Sequence, residues 1–477
     1  MMARSSSQIV LLLLWFLCGA IFGLSLSTSN SQKRCNKKDR DILLQFKKGV
    51  VDPARLLTSW SNSEDCCKWI GVQCHNITGR VSKLNLNYYF ISQHNYSLQG
   101  LTGEINLCVL QLDSLSYLDL SENNFTVIHD SRNDRQRYYN SSLLTPNANI
   151  SSLHYLDLSW NFDLKIDNWR WLSHIPSLKY LNMSYIDLHR ETDWLQSIST
   201  LLPSLLKLRL QGCQLNTVRP SSKYVNFTSL KVLDISNNMF NSKTIGWVSD
   251  VSHSLSYLNL CSNHIDCITD TLLNLQNLQH LSLSQNKLNG TIPKWLGQYK
   301  NLQKLYLSSN SFHGSIPLDL GNISSLIHLD ISNNHLNGSL PESLHKLSSL
   351  ESLIVAGNSL GGVLSESNFV NLTNLKVLDL TSSTFLFNIS SDWIPPFQLT
   401  ELQLESSILG PEFPTWIYSQ GFLEVLDIPN TGIISVDHDK FWSFVSQMTF
   451  SIDISNNLIS GNISNLVLNT VHISDIK

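Results

Sequence analysis

From Val81 onward one short phrase recurs through the chain, and no other feature constrains the fold as tightly. The phrase is L-x-x-L-x-L-x-x-N. It is written by Leu278, Leu281, Leu283 and Asn286, then by Leu302, Leu305, Leu307 and Asn310, then by Leu326, Leu329, Ile331 and Asn334. About fifteen starts follow one another, at Val81, Leu115, Leu153, Leu178, Leu205, Leu230, Leu255, Leu278, Leu302, Leu326, Leu350, Leu375, Leu399, Leu423 and Thr449, most of them roughly 23 to 27 residues apart. A length of 477 residues would otherwise be divided into about three ordinary domains. A fixed period replaces that arithmetic, because length then counts layers of one stacked array.

The phrase and its period are those of a leucine-rich repeat. Side chains alternate along a strand, so the residues at positions 4 and 6 point to one face and form one layer of core per unit. In such repeats the Asn at position 9 is buried where the chain leaves the strand, and its amide bonds loop backbone that would otherwise be unsatisfied. Cys213 takes that place in the fifth unit and reads as a structural side chain rather than a reactive thiol. Units of this kind fold only by stacking. Fifteen strands at ~4.8 Å spacing make an arc of roughly 70 Å.

Composition narrows the partners. Charged residues make up 15% of the chain, below the roughly 25% of ordinary soluble proteins, and the net charge is −4. A chain this rich in large apolar groups is not disordered, and one with no basic excess is not built for nucleic acid. At the N-terminus Arg4 precedes an apolar run from Ile9 to Leu24, followed by small residues at Ser25, Ser27, Thr28 and Ser29. This reads as a signal peptide over residues 1–27, with an uncleaved anchor as the alternative. Either way the route is secretory and oxidising, so cysteines can pair.

After the Asn several units carry a second phrase, G-x-I/L-P, as in Gly290, Ile292 and Pro293, Gly314, Ile316 and Pro317, and Gly338, Leu340 and Pro341, with a stretched copy at Gly410 to Pro414. Here the sequence resembles the plant-specific extracellular subclass of leucine-rich repeats, in which this segment forms a second short strand and twists the array into a superhelix. Residues 28–80 read as the cap that an open solenoid end needs. They hold Cys35, an amphipathic stretch from Asp41 to Lys47, Trp60, and Cys66, Cys67, Trp69 and Cys74. This segment resembles the N-terminal cap of plant receptor-like proteins and receptor-like kinases. Four cysteines allow three connectivities; the resemblance implies Cys35–Cys66 and Cys67–Cys74. Zinc is the alternative use, with the adjacent Cys66 and Cys67 a poor ligand spacing.

Finer segments carry the resemblance further: Trp171 to Leu181, Thr192 to Gln196, Phe413 to Trp416, Leu426 to Ile433, and Phe441 with Trp442. Together, from Cys35 to about Gly461, the chain resembles the receptor-like proteins typified by the ethylene-inducing xylanase receptor, which bind elicitors at the plant cell surface. The resemblance implies an α/β fold, a leucine-rich-repeat solenoid shaped as a right-handed superhelical horseshoe with one parallel strand per repeat and a disulfide-stapled N-terminal cap. It implies an extracellular protein, peptide or glycan ligand, signalling in defence or development through a co-receptor or adaptor kinase, and the outer face of the plasma membrane. Members continue with more repeats, an island segment, a second cap and a transmembrane helix. Residues 81–477 show about fifteen repeats and no C-terminal cap, so the chain reads as a partial ectodomain, tied to a membrane only through a further segment. The alternatives are a secreted inhibitor of microbial wall-degrading enzymes and the ectodomain fragment of a receptor kinase.

Sequons stand at Asn76, Asn95, Asn124, Asn140, Asn149, Asn182, Asn226, Asn289, Asn322, Asn337, Asn371, Asn388 and Asn462. Asn149, Asn226, Asn322 and Asn371 each lie four residues before a repeat start, where a glycan would sit outside the arc; the N-L-x-x-L phrase also generates such sequons incidentally. The first unit is long between Tyr88 and Gly100. The second carries an insertion from Ile128 to Ala148 with Arg132, Asp134, Arg135, Arg137, Tyr138 and Tyr139, either a binding loop or a solvated excursion.

Positions 2, 3, 5, 7 and 8 of each unit line the concave face. In units two to four they place Tyr117, Tyr155, Trp160, Tyr180 and Tyr185, candidates for ligand contact or for plain cross-strand stacking. A glycan on Asn182, on the same face, would shield them. Asp437, His438 and Asp439 read as a polar loop or a weak metal site, Cys261 and Cys267 as a possible small-loop pair, and Cys108 has no evident mate. No metal, no cofactor and no catalytic constellation is called for.

Overall fold

The computed structural model describes residues 34–92, 99–129, 152–166, 168–216, 227–251, 253–268, 270–448 and 450–460. The signal-peptide reading, most of the Ile128 to Ala148 insertion, and the sequons Asn95, Asn140, Asn149, Asn226 and Asn462 lie outside the described residues.

Each repeat start forms one strand, and the strands stack in chain order. A sixteen-stranded sheet begins with Val72–Cys74 and Val81–Asn85, paired antiparallel, and continues strand by strand to Ser451–Asp453 in parallel register. Leucine pairs with leucine along it: Leu281 with Leu305, Leu305 with Leu329, Leu329 with Leu353. These residues are buried, as are their position-6 partners Leu283, Leu307 and Ile331. Each such side chain contributes up to about 1.5–3 kcal/mol of burial, and only the neighbouring unit supplies the covering surface. Among the described residues no helix is long and apolar enough to cross a membrane.

The Asn at position 9 locks each turn to the one before it. Asn310 donates through Nδ2 to the carbonyls of Leu283, Leu307 and Ser308, and its Oδ1 accepts from the Leu288 N–H. Asn334 and Asn358 repeat the arrangement. Cys213 stands in for Asn with its thiol 3.2 Å from the Met183 carbonyl. Further on the ladder breaks, because Ser383 and Ser407 occupy position 9 and their buried hydroxyls have no partner. The residue just before position 9 is left-handed in unit after unit, including Glu122, Trp160, Tyr185, Asn237, Gln285, Ser309 and Asn333.

The G-x-I/L-P phrase forms the expected second strand. Asn289–Gly290, Ser311–Gly314, His335–Gly338, Ser359–Leu364 and Thr384–Phe387 make a five-stranded parallel sheet. Gly290, Gly314 and Gly338 have φ of +96°, +78° and +83°, a conformation that disfavours a Cβ. The prolines that follow are already at helical φ and open the short helical turns Lys294–Gln298, Leu318–Asn322 and Glu342–Lys346 on the outer side.

At the other end the cap helix Lys37–Gly49 lays Ile42, Leu43 and Phe46 over the first unit. Asp39 on that helix is fully buried, accepts from the Val81 N–H at 2.8 Å and holds the Arg80 guanidinium at 2.9 Å, so it ties the cap to the first strand. Cys35 pairs with Cys66 and Cys67 with Cys74, the connectivity implied by the resemblance. Cys261 and Cys267 are unpaired, so the small-loop disulfide does not form, and Cys108 is buried beneath the cap helix with its thiol turned to the Ile42 carbonyl. Asp437 caps the helix His438–Val445 by accepting from the Lys440 N–H. The segment is a helix start rather than a polar loop.

Candidate ligand-binding face

The five aromatic residues of units two to four separate into two rows. Tyr117, Tyr155 and Tyr180 share position 3 on neighbouring strands and stack face to face with centroids 4.2 Å apart, nearly parallel. Lys83 extends the row, its ammonium 4.1 Å above the Tyr117 ring. Cross-strand stacking thus accounts for the contact between these rings.

The hydroxyl ends are anchored. Tyr117 donates to Asp119 Oδ2 at 3.0 Å and Tyr155 to Asp157 Oδ2 at 3.3 Å. The other oxygen of each carboxylate accepts from the backbone N–H and the hydroxyl of the serine two residues on, Ser121 or Ser159. This D-x-S clasp recurs at Asp234 with Ser236 and Asp330 with Ser332. Burial, and then the neighbouring Asp119 and Asp157, push the Tyr117 and Tyr155 hydroxyls up, so both rings stay neutral donors. The result is a preorganised, half-buried aromatic strip with fixed rotamers, at low entropy cost to any partner.

The second row is Trp160 and Tyr185, both at position 8 and both left-handed, with φ of 58° and 62°. Their rings stack at 3.9 Å, and Phe162 meets Trp160 edge-on at 5.7 Å. Trp160 is 43% exposed and Phe162 58%.

Asn182 sits between these features. Its Nδ2 donates to Asp157 Oδ2 at 2.9 Å and Ser159 Oγ at 3.1 Å, and its Oδ1 accepts from Ser184. The other described sequon residues, Asn76, Asn124, Asn289, Asn322, Asn337, Asn371 and Asn388, are exposed.

A third aromatic group was not singled out in the sequence. Tyr257 stacks on His280 at 4.2 Å, and His280 meets Tyr306 at 5.4 Å. Burial, aided by Lys304, lowers His280 to about 4, so it is a neutral ring at ordinary pH. Its signal was legible only after alignment by register, because Tyr257 and His280 lie at position 3 and Tyr306 at position 5.

A family model described as a leucine-rich repeat region matches residues 210–431, and one for the leucine-rich repeat N-terminal domain matches residues 36–75. The fold is that of a leucine-rich-repeat solenoid with its N-terminal cap. The chain is similar to two receptor-like proteins of Solanum lycopersicum. EIX1 is 31% identical over 94% of this chain and 54% of its own length, and EIX2 is 32% identical over 94% and 55%. The chain therefore spans about half the length of these relatives. Among solved structures it is similar to the leucine-rich-repeat ectodomain of the Arabidopsis receptor kinase HAESA in complex with an N-terminally extended IDA peptide hormone, with a TM-score of 0.69 and 26% identity over 88% of this chain and 70% of that one. A TDR receptor shares the fold, with a TM-score of 0.60, 21% identity, and coverage of 78% and 62%.

Proposed function

We propose that this chain is the ligand-recognising part of an extracellular receptor-like protein that perceives a microbial elicitor or a peptide and passes the signal to a partner kinase. The observation that carries the reading is the anchored tyrosine strip of Tyr117, Tyr155 and Tyr180, a rigid, neutral, amphipathic surface on a face that solenoids use for binding. The family supports it, through receptor-like relatives and a structural neighbour solved with a peptide hormone. In this reading Tyr117, Tyr155 and Tyr180 contact the ligand through their exposed edges, with Trp160 and Tyr185 at the border, and the protein acts at the outer face of the plasma membrane. The kinase partner belongs to the reading because recognition by a solenoid has no output of its own.

The test is binding of the secreted chain to a panel of ethylene-inducing xylanase and synthetic plant peptide hormones. One member is expected to bind, and the Tyr155→Ala, Tyr180→Ala double variant to lose at least about tenfold in affinity. A folded chain that binds none of them, or whose binding ignores the double variant, overturns the reading.

A further inference from the structure

The left-handed residues before position 9 form a row along one edge of the large sheet. In six consecutive units they are Trp160, Tyr185, Gly212, Asn237, Ser262 and Gln285. A bulky aromatic is disfavoured relative to glycine in this conformation, yet two adjacent units carry one. The two rings support each other at 3.9 Å, and Tyr185 rests against Gly212, where an added Cβ would lie 2.7 Å from the ring and 3.4 Å from Asn237 Nδ2. The aromatic pair is therefore continuous with the amide of the next units. Immediately beyond it lies a depression of about 540 Å³ lined by Gln214, Asn237, Met239, Ser262, His264 and Gln285.

We infer that this edge is a binding site for a neutral oligosaccharide, an extended chain of equatorially linked pyranoses. Three features select that chemistry. Partly exposed aromatic rings offer flat apolar faces that match the C–H face of a pyranose. Beside them Gln214, Asn237 and Gln285 are exposed amides, the complement of sugar hydroxyls; Gln285 Oε1 accepts from Ser262 Oγ, which fixes the orientation of its amide and leaves its N–H groups to donate. Among the described residues the lining has no carboxylate, ammonium or guanidinium, and its one titratable group is the His264 imidazole, so a charged ligand finds no fixed counter-ion there. The repeat also sets a length scale: these residues recur at the strand spacing of ~4.8 Å, close to the advance of one sugar unit in an extended β-1,4-linked chain. The site is distinct from the position-3 tyrosine strip, and its failure would leave that proposal standing.

The test is isothermal titration of the secreted chain with cellohexaose and, separately, with an oligogalacturonide of similar length. Cellohexaose is expected to bind with a dissociation constant of about 0.1–1 mM. Trp160→Ala and Gln285→Ala are each expected to weaken it about tenfold or more, and Ile394→Ala, at an exposed residue of a distant unit, to leave it unchanged. Gln285 is exposed and outside the core, so its variant keeps the test valid if Trp160→Ala fails to fold. Absence of cellohexaose binding overturns the inference, as does binding indifferent to both variants. Equal binding of the charged oligogalacturonide overturns the neutral-ligand assignment. Cross-linking of a protein from a photoreactive group at position 214, with no sugar binding, assigns the edge to a protein instead and also overturns it.

Discussion

Asn182 donates its side-chain amide to the Asp157 carboxylate at 2.9 Å, and that bond separates it from every other described sequon in the chain. Its second hydrogen bond runs to Ser159 Oγ, so both amide hydrogens are engaged on the concave face. N-glycosylation replaces one of them with a sugar. In the secreted protein Asn182 is expected to be unmodified, while exposed sites such as Asn289, Asn322 and Asn337 carry glycans. Peptide mass spectrometry after enzymatic deglycosylation in heavy-oxygen water reads this directly. A mass-tagged aspartate at position 182 would contradict it and place a glycan over the tyrosine strip.

The Asn ladder gives a stability prediction with an internal control. Asn310→Ala removes three donated bonds and the acceptor for the Leu288 N–H, all within the core edge. The expected cost is about 2–3 kcal/mol, because backbone groups are left buried and unpaired. Ser383→Ala removes a buried hydroxyl that has no partner, and is expected to be neutral or stabilising by up to about 1 kcal/mol. Urea denaturation, with hydrogen exchange to localise the effect to neighbouring units, measures both.

Asp427 supplies a pH dependence. It occupies the position of the D-x-S clasp, but residue 429 is proline, which has neither an N–H nor a hydroxyl to donate. Its Oδ1 is buried without a partner, and burial followed by Asp453, Glu405 and Asp379 raises the carboxyl to about 6. A carboxyl bound more tightly to its proton in the folded chain stabilises the fold below its ordinary range, and that stability is lost as pH rises from about 4 through 6. Asp427→Asn is therefore expected to raise the melting temperature at pH 7.5 and to leave it unchanged at pH 4. Differential scanning calorimetry at the two pH values checks it, and equal effects at both would contradict it.

Cysteine reactivity follows exposure. Cys267 is exposed, whereas Cys213 is buried with its thiol pushed up to about 12 by burial, and Cys108 likewise. Iodoacetamide on the native chain is expected to modify Cys267 and to reach Cys108 and Cys213 only after denaturation. Proteolytic mapping of the labelled peptides gives the order.

The array itself was readable from spacing alone, since fifteen starts correspond to fifteen parallel strands. The second sheet was expected through the resemblance carried by the G-x-I/L-P phrase, and the structure adds its physical reason in the left-handed φ of Gly290, Gly314 and Gly338. The aromatic cluster was only half legible. Concave positions gave the five residues, and their indices, 3 and 8, already differ; that the two sets form separate rows depends on the strand ending at Asp157, between Tyr155 and Trp160. The breaks at Ser383 and Ser407 were visible as letters without their consequence, which is a missing partner in space.

The periodic part of this protein is written in its residues: a repeat whose apolar side chains can be buried only by the next copy dictates stacking, register and a cap. Which polar groups find partners depends instead on the folded array. Asn182 spends its amide on Asp157, Asp427 lacks a donor at Pro429, and Tyr185 lies over Gly212, each through residues of a neighbouring unit or a turn geometry that pattern does not encode. Burial follows period because the hydrophobic effect is non-directional, whereas hydrogen bonds and ring contacts depend on the position of individual atoms.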